Sequence, residues 1–291
     1  MIGTILDRVI ESEMMEVLPV KTNYSSFEFE NKLNELLDVQ NGDFLKSPSS
    51  FSDMVMHQGL MAEKRMIQRR LIYGYYPDVI DNPNNEKHIL KQLVEDYIYS
   101  DLLRKNRIKI KRPDKFFKLL KALAYNIGMP LSYRKLINLS GLSFVTIRSY
   151  LKILEQASVI IELKPFSRDI QQELSKCTMI YFCDNGIRNA LISDFSDAEN
   201  RSDIGVLYKN LLISERIKLN ISKGNTRKYW YWRITRQRMI DLLEESNGKK
   251  CAYQFKWNPK MKVVIPKPFL LRYSECQCEF ISSNNLESFL E

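Results

Sequence analysis

Alternating apolar and polar positions dominate the last third of the chain. The segments MIDLLEE and CAYQFKW have apolar residues at a period of two, which is typical of a strand with one face on a core. KYWYWRI and CEFISS also have strand character, and the segment Pro266–Tyr273 predicts a helix. Before these four predicted strands, the segment DIGVLYKNLLISERIKLNIS has helical spacing of its apolar residues. This order predicts a mixed α/β unit over residues 201–291.

Residues 113–184 predict three helices followed by two strands. Pro113 suits the first position of a helix, and FFKLLKALAYNIG is amphipathic up to Gly128. Ser132 and Ser143 can cap the helices YRKLINLS and FVTIRSYLKILEQA, with a tight turn at Gly141 between them. VIIEL and MIYFC then read as strands. This arrangement is typical of a winged helix-turn-helix.

The third of these helices is a candidate for contact with nucleic acid. It would display Thr146, Arg148, Ser149 and Lys152 on its outer side. Because the equivalent helix enters the major groove in DNA-binding modules, Arg148 and Lys152 are candidate nucleic-acid ligands. The alternative is that the module serves packing alone and that both cations are solvated. The sequence leaves both interpretations open.

The first 112 residues carry weaker signals. Residues 61–110 have helical spacing with a break at GYYP, because Pro77 bars helical geometry from the residue before it. In residues 1–60, SSFEFENKLNELL suggests a short strand or loop followed by a helix, and FLKSPSSFSDMVMHQGL suggests a connecting stretch that leads into a helix. No stretch matches G-x-x-x-x-G-K-[ST], the loop whose backbone amides cradle nucleotide phosphates. The sequence therefore gives no support for ATP hydrolysis by this chain alone, and we expect no cofactor.

Composition favours a polyanionic partner. The 291 residues carry a formal net charge of +9 with a pI of about 9.1. The five cysteines and two histidines do not form a zinc pattern, and Cys276 and Cys278 are explained by alternation in a strand. Free thiols and the lack of a signal peptide or long apolar run predict a cytoplasmic protein without a membrane partner.

A cation-rich segment coincides with a pattern that is typical of metal-dependent nucleases. Such sites need an Asp on one strand and (Asp/Glu)-x-Lys on the next, so that carboxylates hold a divalent cation and Lys steadies the water or phosphate. Asp241 and Lys256 match two of these positions, but the third is Gln254. An amide supplies an oxygen without negative charge. We therefore expect the architecture without the metal.

Several blocks of the chain resemble a known family. LIYGYYPDVI, KQLVEDYIYSDLL, LLKALAYNIG, IYFCDNGIRNALI, LLISERIK, YWYWR and QFKWNPK are similar to AAA-type ATPases of the superfamily's fourteenth subgroup. The resemblance covers about residues 24–290. It implies a mixed α/β chain whose parts are a remnant of the ATPase core (1–60), a helical lid-like region (61–112), a winged helix with linker (113–200) and a restriction-nuclease-like domain (201–291).

The resemblance also identifies the positions where the family carries nuclease acids. The acid of the helix falls on Lys209, Glu-Ile-Asp falls on Met239 to Asp241, and Glu-Phe-Lys falls on Gln254 to Lys256. Three of the four acidic positions are thus replaced, one of them by a cation. Losses of this extent argue against a bound metal.

The combined expectation is a non-catalytic, truncated relative of these ATPases that binds DNA or a partner protein. Arg233, Arg238, Lys256 and Lys209 would meet phosphates, with Arg148 and Lys152 as further candidates. The alternative is that these side chains are solvated surface cations without a binding role. A further alternative is an enzyme, either an ATP-binding ATPase or a metal-dependent nuclease, which the loss of the motifs disfavours. Another is an accessory subunit that docks on a full-length homologous ATPase.

Overall fold

A computed structural model of the chain describes residues 48–96, 112–167, 177–235, 238–261 and 264–290. Most of the predicted ATPase remnant lies outside these residues, as does the second half of the helix predicted after Pro77. No helix in the described ranges combines the length and the apolar character needed to cross a membrane.

A six-stranded mixed sheet is the centre of the fold. Its strands are β1 (Ile160–Pro165), β2 (Met179–Phe182), β3 (Lys228–Arg233), β4 (Met239–Ser246), β5 (Lys249–Lys256) and β6 (Gln277–Ser282). Their order across the sheet is β2-β1-β3-β4-β5-β6. The β1–β3 and β5–β6 pairs are parallel and the other three pairs are antiparallel. The predicted mixed α/β class is confirmed, and each of the four strands predicted after residue 227 is present.

Eleven α-helices surround the sheet in the described part of the chain. They are α1 (Phe51–Gln58), α2 (Leu60–Tyr73), α3 (Pro77–Ile80), α4 (Glu86–Leu93), α5 (Pro113–Tyr125), α6 (Tyr133–Ser140), α7 (Phe144–Gln156), α8 (Asn185–Ile192), α9 (Ile204–Ser222), α10 (Lys267–Arg272) and α11 (Glu287–Leu290).

Local sequence explains the helices that precede the sheet. Pro113 occupies the first position of α5. The Ser132 and Ser143 hydroxyls accept hydrogen bonds from the third residues of α6 and α7, at 3.4 and 3.2 Å. Gly141 ends α6 in the left-handed conformation with φ +67°, which costs a residue without Cβ little. Helix α5 ends at Tyr125, three residues before the predicted stop at Gly128.

The hairpin that follows these helices belongs to the large sheet. Strands β1 and β2 pair antiparallel as predicted, but β1 also pairs parallel with β3 through Lys164 and Pro165. Helices α5 to α7 are therefore attached to the C-terminal α/β unit by a shared sheet. Sequence periodicity gave no indication of this pairing, because a parallel partner can lie at any distance along the chain.

The two faces of the sheet are covered unequally. Helices α8, α9 and α11 pack with the N-terminal helices in one large core. A second, smaller core lies on the opposite face, where Phe269 and Tyr273 of the α10 region contact strand residues Trp232, Ile240 and Leu243. Cys276 and Cys278 both pack at this second core, but Cys276 lies one residue before β6, so the two cysteines are not alternating positions of one strand as predicted.

The outer edge of β2 is closed by one side chain of α9. Asn210 accepts a hydrogen bond from the Phe182 amide at 2.7 Å and donates to the Phe182 carbonyl at 2.9 Å. An amide side chain thereby replaces the backbone of a missing neighbouring strand. This blunts an edge that could otherwise pair with another chain.

A close approach fixes the N-terminal helices on α8. Gly74 ends α2 with φ +73°, and a Cβ at this position would lie 2.1 Å from Oδ1 of Asp184. The buried Asp184 carboxylate accepts hydrogen bonds from the Tyr75, Gly186 and Ile187 amides. A larger residue than glycine would displace this carboxylate.

Asp203 joins α8 to α9 through two arginines. Its carboxylate accepts hydrogen bonds from Arg188 at 2.6 Å and from Arg201 at 2.7 Å, while Arg188 also donates to the Ala124 carbonyl of α5. Burial alone would raise the pKa of Asp203, but the hydrogen bonds from Arg201 and Arg188 lower it to about 2. The charged form therefore stabilises the fold.

We predict that Asp203→Asn lowers the free energy of unfolding at pH 7 by about 1–2 kcal/mol. The folded-state pKa is below the ordinary value of about 3.9. The contribution is therefore complete above that value and is lost as the pH falls towards 2. Denaturant unfolding at several pH values should show the wild-type advantage disappearing between pH about 4 and about 2. The exposed Glu199→Gln is the control, and a gap independent of pH would contradict the prediction.

Candidate functional site

A β-bulge at Asp241 and Leu242 shapes the site. Trp230 of β3 is opposite Leu243 and Trp232 is opposite Ile240, so Asp241 and Leu242 together oppose one residue of β3. An extra residue in one strand turns two consecutive side chains towards the same face. The bulge accordingly directs Asp241 towards α9, on the face that carries the large core.

Both oxygens of the Asp241 carboxylate accept hydrogen bonds. Its Oδ1 lies 2.6 Å from Nζ of Lys209, and its Oδ2 accepts the Phe255 amide of β5 at 2.9 Å. The Asp241 side chain is 3% exposed and the Lys209 side chain 21%. A cation from α9 thus neutralises a carboxylate that would otherwise be buried with an uncompensated charge.

Gln254 lies next to Asp241 on the adjacent strand, as predicted. Its Nε2 donates to the Met239 carbonyl at 2.7 Å, so the amide holds the beginning of β4 to the end of β5. Lys256 is half-buried two residues further along β5, at the same end of the sheet. The backbone positions of Lys209, Met239, Asp241, Gln254 and Lys256 are therefore neighbours on α9, β4 and β5. Their side chains are divided between the two faces of the sheet. Asp241 meets Lys209 on the face of the large core, whereas Gln254 and Lys256 alternate with Tyr253 and Phe255 of that core and so lie on the opposite face.

This set of side chains does not fit a divalent cation. Mg²⁺ and similar ions need several oxygen ligands with negative charge. Here Asp241 is the one carboxylate of the five positions, and the Lys209 ammonium already contacts it. Across the ranges that the structure describes, no three His, Cys, Asp or Glu side chains are grouped so that they could hold a metal ion.

Three cations are placed at the same edge of the sheet. Strands β3 and β5 both run antiparallel to β4, so Arg233 and Lys256 end them at one edge, about 10 Å apart across two strand spacings. Arg238 is exposed in the turn between β3 and β4. Within the described residues none of the three forms an ion pair. The term cationic edge is used below for Arg233, Arg238 and Lys256, at the end of the sheet where β3 and β5 finish and β4 begins.

The α7 face has a different electrostatic character. Arg148 is exposed, and its guanidinium lies 5.9 Å from the ring centre of Phe144. Lys152 is half-buried one turn further along the helix. Burial raises the pKa of Glu162 on β1, and the charge of Glu155 raises it further, while Lys164 and Arg148 act in the opposite sense. Acidic side chains near α7 thus reduce its attraction for phosphates.

The sequence patterns did not identify one buried acid of the sheet. Glu244 of β4 is almost fully buried, and Arg216 of α9 donates to it at 2.9 Å. Arg227 also donates to Glu244, and Asn220 lies 3.4 Å from it. The sequence signal is weak: Arg216 and Asn220 are polar residues spaced by one helical turn within an apolar helix. Their pairing with β4 could not be read from that spacing.

Arg227 also borders the two small depressions that the structure shows in this region. One, of about 260 Å³, is lined by Arg227, Glu244, Ser246, Asn247, Lys249 and Cys251. The other, of about 450 Å³, is lined mainly by the end of α9 and the segment before β3. The first lies at the end of the sheet opposite the cationic edge, because Ser246 and Lys249 are at the other ends of β4 and β5, and the second adjoins the beginning of β3 at Tyr229.

Comparison with known proteins gives one match. Residues 64–198 match the sequence profile of a family described as a domain of unknown function (DUF8612). The matched range runs from α2 to the segment before α9 and spans less than half of the chain. No curated protein and no solved structure matches the chain. The cationic edge lies outside the matched range.

We predict that Lys209→Met lowers the free energy of unfolding by about 2–4 kcal/mol, because it leaves the buried Asp241 carboxylate without its cation. The double variant Lys209→Met/Asp241→Asn should lose less than the sum of the two single variants, since a neutral amide needs no cation. Urea unfolding of the four proteins measures this coupling. The exposed Lys260→Met is the control, and strictly additive losses would contradict the assignment.

Proposed function

We propose that this chain binds duplex nucleic acid through the cationic edge and does not cleave it. The observation that carries the proposal is that Arg233, Arg238 and Lys256 lie at one edge of the sheet, next to a carboxylate that Lys209 neutralises. Cations that form no ion pair with any residue the structure describes attract phosphates, and the local negative charge that would repel phosphates is already compensated.

A restriction-nuclease-like ancestry is part of this proposal. A long helix packs on a mixed sheet, and Asp241 of β4 and Lys256 of β5 lie on adjacent strands at the same end of that sheet. The bulge that turns Asp241 towards α9 is the kind of irregularity found beside active sites. These features support the resemblance to the C-terminal domain of the AAA-type ATPases.

Loss of cleavage follows from the same geometry. A metal would have to displace the Lys209 ammonium from Asp241 and then draw its remaining charge from the neutral Gln254 and Met239 positions. Asp241 also accepts the Phe255 amide, so a metal would break two contacts to gain one carboxylate. Chelation of this kind is too weak to compete with water for a hard cation.

The winged helix-turn-helix is proposed as a secondary contact. The order of α5, α6, α7 and the β1–β2 hairpin supports such a module. However, Glu162 lies near Arg148 and Glu155 adds negative charge near Glu162, so we assign the larger share of phosphate contact to the cationic edge. Variants of the two surfaces distinguish their contributions.

We predict weak, sequence-independent binding of duplex DNA whose affinity falls steeply with salt. Fluorescence anisotropy of a labelled duplex at several salt concentrations gives both the affinity and the slope of log K against log salt. Arg233→Ala and Lys256→Ala should each weaken binding and reduce the slope by roughly one unit, because each removes one phosphate contact. Addition of Mg²⁺ should yield no cleavage.

Lys228→Ala is the matched control, because Lys228 begins the strand that Arg233 ends. This exposed lysine lies at the opposite edge of the sheet, so its removal should leave the slope unchanged. Equal effects of Lys228→Ala and Arg233→Ala would indicate attraction to net charge and refute the assigned edge. Arg148→Ala reports separately on α7. Mg²⁺-dependent cleavage that is lost in Asp241→Asn would refute the non-catalytic assignment.

A further inference from the structure

Helix α10 presents an apolar face to solvent. Phe269 and Tyr273 are buried in the second core of the sheet, at 0% and 1% exposure. Lys267, Leu270 and Leu271 are spaced by three and four residues, so they share the opposite face of the helix. Leu270 is 42% exposed and Leu271 is 86% exposed. The helix is therefore anchored by aromatic residues on one side and displays two leucines on the other.

Other exposed apolar side chains lie in the same segment. Val264, three residues before α10, is 74% exposed, and Met261 is 51% exposed. Four of the eleven exposed large apolar residues of the described ranges thus fall between positions 261 and 271. Single exposed apolar residues are ordinary, but such a concentration marks an interaction surface.

The charges of this segment all have one sign. No Asp or Glu occurs between Lys256 and Glu275. Lys260, Lys267 and Arg272 are exposed among the apolar residues. A partner for this surface must therefore combine an apolar interior with negative charge at its boundary.

We propose that the outward face of α10 and the adjoining Val264 bind the surface of an anionic lipid bilayer. Leu270, Leu271 and Val264 would enter the boundary between headgroups and acyl chains, while Lys267 and Arg272 contact lipid phosphates. The sequence predicted no membrane partner because it contains no spanning segment. A peripheral contact needs none, and the exposure of these side chains becomes visible in the structure alone.

The degree of exposure favours lipid over a folded protein partner. A side chain that lines a groove is partly covered by the walls of that groove, whereas Leu271 and Val264 project almost freely. Projecting aliphatic tips between cations match a soft interface, which can close around them without a preformed pocket.

Flotation with vesicles tests the proposal. The wild-type protein should float with vesicles of phosphatidylcholine and phosphatidylglycerol at a ratio of about 3:1, and much less with pure phosphatidylcholine. The double variant Leu270→Ser/Leu271→Ser should lower the partition coefficient at least about tenfold, because the apolar tips no longer enter the boundary. Lys267→Ala should lower it about fivefold.

Two controls keep the outcomes distinct. Ile221→Ser, at a residue of α9 that is 72% exposed, should partition like the wild type. Thermal unfolding should show that both serine variants remain folded, since the replaced side chains face solvent. If the double leucine variant floats like the wild type, binding is electrostatic adsorption by the basic chain and the proposal fails. Absence of flotation of the wild type also overturns it and leaves a protein partner for this face.

The DNA measurements are independent of this result. The double leucine variant retains Arg233, Arg238 and Lys256, so its affinity for duplex DNA should equal that of the wild type. Loss of vesicle binding with intact DNA binding would support the assignment of α10 to lipid. The protein could also bind vesicles through the leucines and show no affinity for DNA. That result would retain the lipid proposal and refute the proposed function.

Discussion

Helix α9 carries polar side chains into the interior, and the need to compensate them constrains the rest of the structure. Lys209 pairs with Asp241 of β4, Asn210 with the edge of β2, and Arg216 with Glu244. Glu215 accepts the Phe51 amide at the start of α1. A buried charge without its partner costs several kcal/mol. The position and rotation of α9 are therefore fixed by partners on three separate elements, β2, β4 and α1.

The same constraint ties the first helices to the sheet. Burial raises the pKa of Glu215 and of Asp184, whereas Lys218 and backbone amides favour their charged forms. Burial alone would lower the pKa of Lys218, but Glu215 and Asp184 raise it above its ordinary value. Lys218 also donates to the Ser49 carbonyl at 3.3 Å. One cation thus joins α9 to the segment before α1 and to α8.

At the candidate site, a role in metal binding and a role in packing compete for one carboxylate. The bulge places Asp241 where α9 can reach it, and the side chain supplied by α9 is an ammonium. The ion pair fixes α9 on the sheet and compensates the negative charge nearest the cationic edge. Arg233, Arg238 and Lys256 are consequently available to an external anion, which is the basis of the proposed binding of nucleic acid.

The sequence by itself determined the local elements and the neighbourhood of Asp241 and Gln254. Caps at Ser132 and Ser143 and apolar alternation act over a few residues, so they are readable without a fold. The tertiary structure decided the parallel pairing of β1 with β3, the contact of Lys209 with Asp241 and the exposure of Leu271. These depend on which distant surfaces meet and which remain uncovered. That choice minimises the free energy of the whole chain, and no short segment encodes it.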